Sequence, residues 1–266
     1  MSRTAKLAFL GDINGAPGKA VVERCLPALR ERWAPDVVVA NAENARNGSG
    51  LTPELYRAFR GMGIDAITLG DHVFRDTKVV PLLENPEEPV ARPANLSARS
   101  PGKRWTRIPA AGSRTRDIYV VTVLGRIFFP LPANDPFAAI DEVLGAIPER
   151  RPIVVVEAHM EATSEKAAMG AGCDGRAALV VGTHTHVPTA DARILRKGTG
   201  FITDVGMCGP YDSVIGRDTD AVVRHMTSAL PVHYEMGQGD PRLCGVFVEI
   251  SEDTGLANRI ERIELT

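Results

Sequence analysis

The sequence predicts an α/β fold. Apolar runs of strand length recur from Leu7 to Thr183, helical stretches with cap signals or an apolar stripe separate them, and most runs end in a polar residue suited to a ligand. A length of 266 residues suits one domain, expected to cover 1–266 with an irregular excursion around 84–116.

The first strand, 6–10, ends at Gly11-Asp12, and a helix near 17–32 follows, with Val21, Val22, Cys25, Leu26 and Leu29 as its apolar stripe. Strand 37–41 leads into Ala42-Glu43-Asn44. Thr52-Pro53-Glu54 supplies an N-cap, a proline at the first helical position and an acid in the first turn, opening a helix to about Met62. Strand 66–69 runs to Gly70-Asp71-His72, and Asp76 caps a helix from Thr77 to Leu83. From Glu84 to Arg116 the chain is rich in Pro, Arg, Ser and Gly, with room for one short strand. Ile118 to Phe129 reads as strand and admits a hairpin around Leu124-Gly125-Arg126. Asp135-Pro136 starts another helix, and the strand rhythm resumes at Ile153 and again at Ala178. A helix near 218–229 and a C-terminal hairpin, 245–250 with 257–265, complete the chain.

Hydrophobic residues make up 44% and charged residues 24%, which is ordinary for a globular domain. With 31 basic and 33 acidic residues, the charge balance offers no attraction for nucleic acid or a membrane surface. No apolar stretch nears the roughly 20 residues that span a bilayer, and Met1–Leu7 lacks a signal-peptide core. Cys25, Cys173, Cys208 and Cys244 form no CxxC pair and read as packing residues in a reducing cytoplasm.

Gly11 to Ala20 joins strand to helix, so a phosphate loop is the first reading to test. A Walker A loop needs glycine at 13, where Ile13 stands, and Ser or Thr at 20, where Ala20 stands; the dinucleotide fingerprint fails too. The glycines instead let the backbone turn and bring Asp12 to the strand end.

A metal centre fits better. Asp12, Glu43 with Asn44, Asp71 with His72, His159, and the pair His184 and His186 all follow apolar runs. In an open α/β sheet the carboxyl ends of parallel strands share one edge, so these residues would converge. On an extended backbone His184 and His186 would point to the same side and reach one cation or two adjacent ones. Asp12 or His159 alone would signify little; four of six histidines in this pattern carry the argument, while His225 and His233 read as structural.

Gly11-Asp12-Ile13, Asn41-Ala-Glu43-Asn44, Gly70-x-His72, Arg92-Pro-Ala-Asn95, His159-Met-Glu-Ala-Thr-Ser-Glu-Lys166, Val181-Gly-Thr-His-Thr-His186 and Ile202-Thr-Asp-Val-Gly-Met207 occur in that order. Along nearly the whole chain this resembles the YmdB-type branch of the calcineurin-like metallophosphoesterases. The resemblance implies a four-layer α/β/β/α sandwich and a phosphodiesterase acting on cyclic nucleotides, 2′,3′- or 3′,5′-cyclic. It implies two divalent transition-metal ions per chain, iron or manganese first and zinc as an alternative. By the same resemblance Asp12, Asn44 and His186 hold one metal, Glu43 bridges both, Asp71, His159 and His184 complete the second, and His72 stands by the leaving group. Asp204, Gly206 and Met207 would border the substrate pocket, and self-association to a dimer or tetramer is implied. Three departures stand out: Asp71 where the family usually has Asn, Glu157 for a commoner Asp, and Asn14 for an apolar residue. Asp71 adds a ligand charge, which should tighten metal binding and weaken the Lewis acidity felt by substrate.

The expected reaction is attack of a metal-activated hydroxide on phosphorus, with His72 donating a proton to the leaving alkoxide. The alternatives are a dinuclear hydrolase of another bond type and a non-catalytic, metal-binding regulatory protein.

Overall fold

The computed structural model describes residues 3–129 and 131–266. They form two mixed β-sheets packed face to face, with helices on both outer surfaces. The first sheet contains β1 (Thr4–Leu10), β2 (Asp12–Ile13), β3 (Val37–Asn41), β4 (Ala66–Thr68), β11 (Met207–Asp212), β12 (Gly239–Ser251) and β13 (Leu256–Leu265). Its order is β2-β11-β12-β1-β3-β4, with β13 also paired to β12. The second contains β5 (Thr106–Ile108), β6 (Ile118–Leu124), β7 (Ile153–His159), β8 (Leu179–Thr183), β9 (Arg193–Ile194) and β10 (Gly200–Ile202), in the order β5-β6-β7-β8-β10-β9.

Strand periodicity sorts the core into three layers. Leu7, Phe9, Val37, Val39, Val246 and Val248 from the first sheet meet Val120, Val155, Leu179 and Val181 from the second. The opposite face of the first sheet, through Ala8, Leu10, Val38 and Phe247, packs on α1 (Gly15–Trp33) and α2 (Pro53–Gly61). Val121, Val123, Val154 and Val156 pack outward on α4 (Pro136–Ala146) and α5 (Thr163–Cys173). The architecture is therefore α/β/β/α. Strands covered on both faces read as unbroken apolar runs, as Ile153 to Val156 do.

The cap signals act as read. Thr52 Oγ1 accepts from Leu55 N, and Asp135 accepts from Phe137 N and Ala138 N; Asp218 accepts from Ala221 N ahead of α6 (Thr219–Ser228). Asp76 caps a 3₁₀ turn, Thr77–Val79, before α3 (Val80–Glu84).

Two expectations need correction. No hairpin forms at Leu124-Gly125-Arg126. β6 ends at Leu124: Gly125 N still bonds His159 O of β7, and beyond it Glu165 accepts from the Arg126 and Ile127 amides, so the chain leaves the sheet. The site residues also do not share one sheet edge: Asp12, Glu43, Asn44, Asp71 and His72 follow strands of the first sheet, and His159, His184 and His186 those of the second. The excursion at 84–116 is tied down by β5 on β6, by a bridge from Val90 to Ile67, and by Arg92 donating to Gly102 O, Pro93 O and Ser97 O.

Candidate metal centre

Just past the ends of β1, β3 and β4 in one sheet and of β7 and β8 in the other, residues from both sheets come together. Glu43, Asp71, His159 and His184 bring one ligand atom each within 4.8 Å of one another. His159 Nε2 lies 3.1 Å from Glu43 Oε1, 3.1 Å from Asp71 Oδ1 and 3.2 Å from His184 Nδ1. Beside this cluster, Asp12 Oδ1 lies 3.6 Å from His186 Nε2. The Asn44 Nδ2 amide sits among Asp12 Oδ1 (3.3 Å), Glu43 Oε1 (3.5 Å) and His186 Nε2 (3.2 Å). Three acceptors thus surround one donor, as they would a cation. An amide ligates through oxygen, so Asn44 serves a metal only after its side chain turns over. Glu43 touches both groups, which suits a bridge.

The outward nitrogen of each histidine decides which lone pair faces inward. His159 Nδ1–H donates to Thr183 Oγ1 (2.9 Å), which in turn donates to Glu157 (2.9 Å). His186 Nδ1–H donates to Ile215 O (2.9 Å), and His184 Nε2–H reaches Glu161 Oε2 at 3.1 Å. Each imidazole is therefore held in the tautomer whose free lone pair points into the cluster, the arrangement that metal-ligating histidines take from outer hydrogen-bond partners. Glu161 lies within a motif visible in the sequence, but only its contact with His184 reveals this part.

The electrostatics agree. Burial pushes the His159 pKa down, but Glu43 and Asp71 outweigh it and raise the value well above an ordinary histidine. His186 is likewise lowered by burial and raised further by Asp12. For Asp12 and Asp71 burial works upward, yet the neighbouring histidines hold both below the usual carboxylate range. Without a cation, protons on imidazole balance the carboxylates; a cation needs those same lone pairs. In the metal-free fold, stability from the raised His159 pKa is complete below about pH 6.5 and disappears as pH rises through the raised value. Cation affinity must therefore climb over that range, with proton release. Manganese titration calorimetry between about pH 6 and about pH 9 is expected to show both; a flat affinity without proton release would remove His159 as a ligand.

The two-histidine segment behaves differently from the extended reading. β8 stops at Thr183, and His184 and His186 take positive φ values of 87° and 62°. The turn sends His184 to the Asp71 group and His186 to the Asp12 group, so their rings enter different halves of the cluster. Such backbone costs of order 1–3 kcal/mol per residue and needs support. Lys166 and Asp204 supply it: Lys166 Nζ donates to Asp204 Oδ2 and Thr185 Oγ1, both at 2.7 Å, and Asp204 also accepts from Thr185 Oγ1 and Gly206 N. The pair is fully buried. Asp204→Ala would leave Lys166 without its counter-charge, an expected loss of about 3–5 kcal/mol in urea unfolding; a loss under about 1 kcal/mol would mean the pair bears no such load.

Asp204, Gly206 and Met207 do not line the cleft, contrary to expectation. They are buried behind the histidine turn, where Met207 pairs with Asp12 through β11 and β2 and so places that aspartate. Gly70 is required by packing, since a Cβ there would lie 2.2 Å from His159 Nε2 and 2.4 Å from Glu43 Oε2.

The cleft over the centre is about 390 Å³ and is lined by Asn44, His72, His184, His186, Glu161 and Arg217 among others. His72 stands beside the cluster: its Nδ1–H donates to Asn44 Oδ1 (2.7 Å), its backbone N–H donates to Glu43 Oε2 (3.0 Å), and Nε2 lies 3.7 Å from Asp71 Oδ2. Asn14, the helix N-cap, turns its side chain away from α1 to donate to Ile215 O, with Oδ1 buried and unpartnered.

Residues 8–263 match the family described as YmdB-like protein. This chain belongs to the YmdB-like family. A Bacillus subtilis (strain 168) member named 2′,3′-cyclic-nucleotide 2′-phosphodiesterase is 41% identical over 258 residues, covering 97% of this chain and 96% of that one. The crystal structure of a hypothetical protein from Thermus thermophilus superposes with a TM-score of 0.88 at 40% identity, covering 98% of each chain. A Mycoplasma pneumoniae structure, described as a novel phosphatase, superposes with a TM-score of 0.92 at 31% identity, covering 100% of this chain and 94% of that one. The matched range 8–263 includes every residue of the cluster, from Asp12 to His186.

Proposed function

We propose that this chain is a metal-dependent phosphodiesterase that opens a cyclic nucleotide, the 2′,3′-cyclic form foremost. The carrying observation is the convergence of three imidazole lone pairs, three carboxylates and Asn44 across two sheets, with His72 alongside. The 2′,3′-cyclic preference rests on the name of the Bacillus subtilis relative.

Mixed oxygen and imidazole donors suit iron or manganese, and accept zinc. Asp12, Asn44 and His186 would hold one ion, Asp71, His159 and His184 the other, and Glu43 both. When bound, two such ions supply Lewis acidity to phosphoryl oxygens and activate water. With Asn44 turned over to ligate, its Nδ2–H would donate to His72 Nδ1 and leave the imidazole proton on Nε2, the nitrogen able to give it to the departing oxygen. A regulatory metal site has no use for that placement. A cleft of about 390 Å³ admits a small nucleotide.

Metal analysis with a phosphodiester panel tests this reading. Two metals per chain and metal-dependent turnover, faster on 2′,3′- than on 3′,5′-cyclic nucleotides, are expected. Metal-loaded protein inert toward every diester would overturn it. Two finer parts of the same reading are self-association, supported by the exposed Val223 and Met226 of α6 with Leu230, and a cytoplasmic location, supported by four unpaired, buried cysteines.

A further inference from the structure

Arg217 is the cleft residue that the centre itself leaves unexplained. It lies in the turn between β11 and α6, half-buried, and its guanidinium donates to Asn47 O and Gly48 O at 2.9 Å each. Gly48 has a φ of 75°, and a Cβ there would lie 2.4 Å from an Arg217 nitrogen, so the guanidinium rests flat on bare backbone. Among the described residues no carboxylate lies within ion-pair distance of it. Burial, with no opposing charge to offset it, pulls its pKa below the usual arginine value.

The same two segments carry metal ligands. Gly48 N bonds Asn44 O, and Gly50 N bonds Glu43 O. Ile215, two residues before Arg217, accepts from His186. Arg217 is thus fixed relative to the centre from both sides, with two of its five N–H groups engaged by these carbonyls and a third directed at Met236 Sδ at 3.6 Å, which leaves two for an anion. An unpaired cation held rigid in a cleft that takes an anionic substrate is a second anion site.

We propose that Arg217 forms a distal phosphate subsite, which receives a further phosphate carried by the nucleotide beyond the diester that reacts. This rests on the phosphodiesterase reading. The favoured substrates then bear two phosphates, either a 2′,3′-cyclic mononucleotide with a 5′-phosphate or the 2′,3′-cyclic end of an oligonucleotide.

The test compares kcat/KM for 2′,3′-cyclic AMP with a free 5′-hydroxyl, its 5′-phosphorylated form, and a dinucleotide ending in a 2′,3′-cyclic phosphate. The metal-loaded protein should favour at least one phosphorylated form by roughly tenfold or more, and Arg217→Gln should bring that ratio close to one. Loss of a clamping role alone would slow all three substrates alike and leave the ratio standing. A ratio near one in the unaltered protein, or one that survives Arg217→Gln, overturns the subsite. Which phosphorylated form gains identifies the source of the phosphate. If no diester is turned over, the proposed function fails separately, and binding decides the subsite. Adenosine 3′,5′-bisphosphate must then bind roughly tenfold tighter than 3′-AMP, an advantage Arg217→Gln abolishes; equal binding overturns it.

Discussion

His72→Ala is expected to retain both metals and to lose turnover by roughly 10²–10⁴-fold, the range for removing a positioned general acid. The expectation follows from where the imidazole sits. Its Nδ1 faces Asn44, whose turned amide would donate to it and leave the ring proton on Nε2, and its backbone N–H goes to Glu43, so neither contact spends Nε2. The loss should be smallest for substrates with a good leaving group, since an acidic alcohol departs without help. Comparing a p-nitrophenyl diester with a cyclic nucleotide reads this directly. Equal losses on both would assign His72 to orienting Asn44, and near-normal rates in metal-replete protein would remove it from the reaction.

Glu43→Gln should cost metal as well as rate, with at least one metal equivalent lost and turnover falling roughly 10³-fold or more, about 4 kcal/mol of charge stabilisation. Glu43 is buried, and its Oε1 approaches both His159 and the Asn44 amide, so its charge serves both halves of the centre. Glutamine preserves the shape while halving the acceptors and removing the charge, which separates ligation from packing. Metal content by elemental analysis and unfolding temperature without metal should therefore diverge, the first falling much more than the second. Two tightly held metals in Glu43→Gln would place the bridge elsewhere.

The charge count at this centre bears on the first variant as well. Asp12, Glu43 and Asp71 bring three carboxylates to it. With cations more fully neutralised, less positive charge remains for phosphoryl oxygens, and proton donation by His72 carries a greater share of the barrier.

Much of the architecture was legible because its signals are local. Thr52-Pro53, Asp135-Pro136 and the apolar stripe of α1 act over one or two turns, and unbroken runs such as Ile153–Val156 announce strands covered on both faces. The segments that escaped notice are short or held by distant partners. Met207–Asp212 is a strand because β12 and β2 lie beside it, and the stretch after Leu124 leaves the sheet because Glu165 captures its amides. Asp204, Gly206 and Met207 looked like pocket residues for a related reason: polar and glycine positions near a motif read alike whether they face substrate or brace a turn.

Residue types and their spacing after apolar runs determined by themselves that Asp12, Glu43, Asn44, Asp71, His159, His184 and His186 are ligand candidates, since hydrophobic periodicity reports where a strand ends. Tertiary structure alone decided that two sheets contribute them and that left-handed backbone at His184 and His186 divides the histidines between halves of the centre. It alone decided that Glu161, Thr183 and Ile215 select each tautomer, and that Arg217 enters the cleft without a counter-charge. Hydrogen-bond direction and charge pairing depend on positions within a few ångströms between segments remote in sequence, and no local pattern along the chain records that distance.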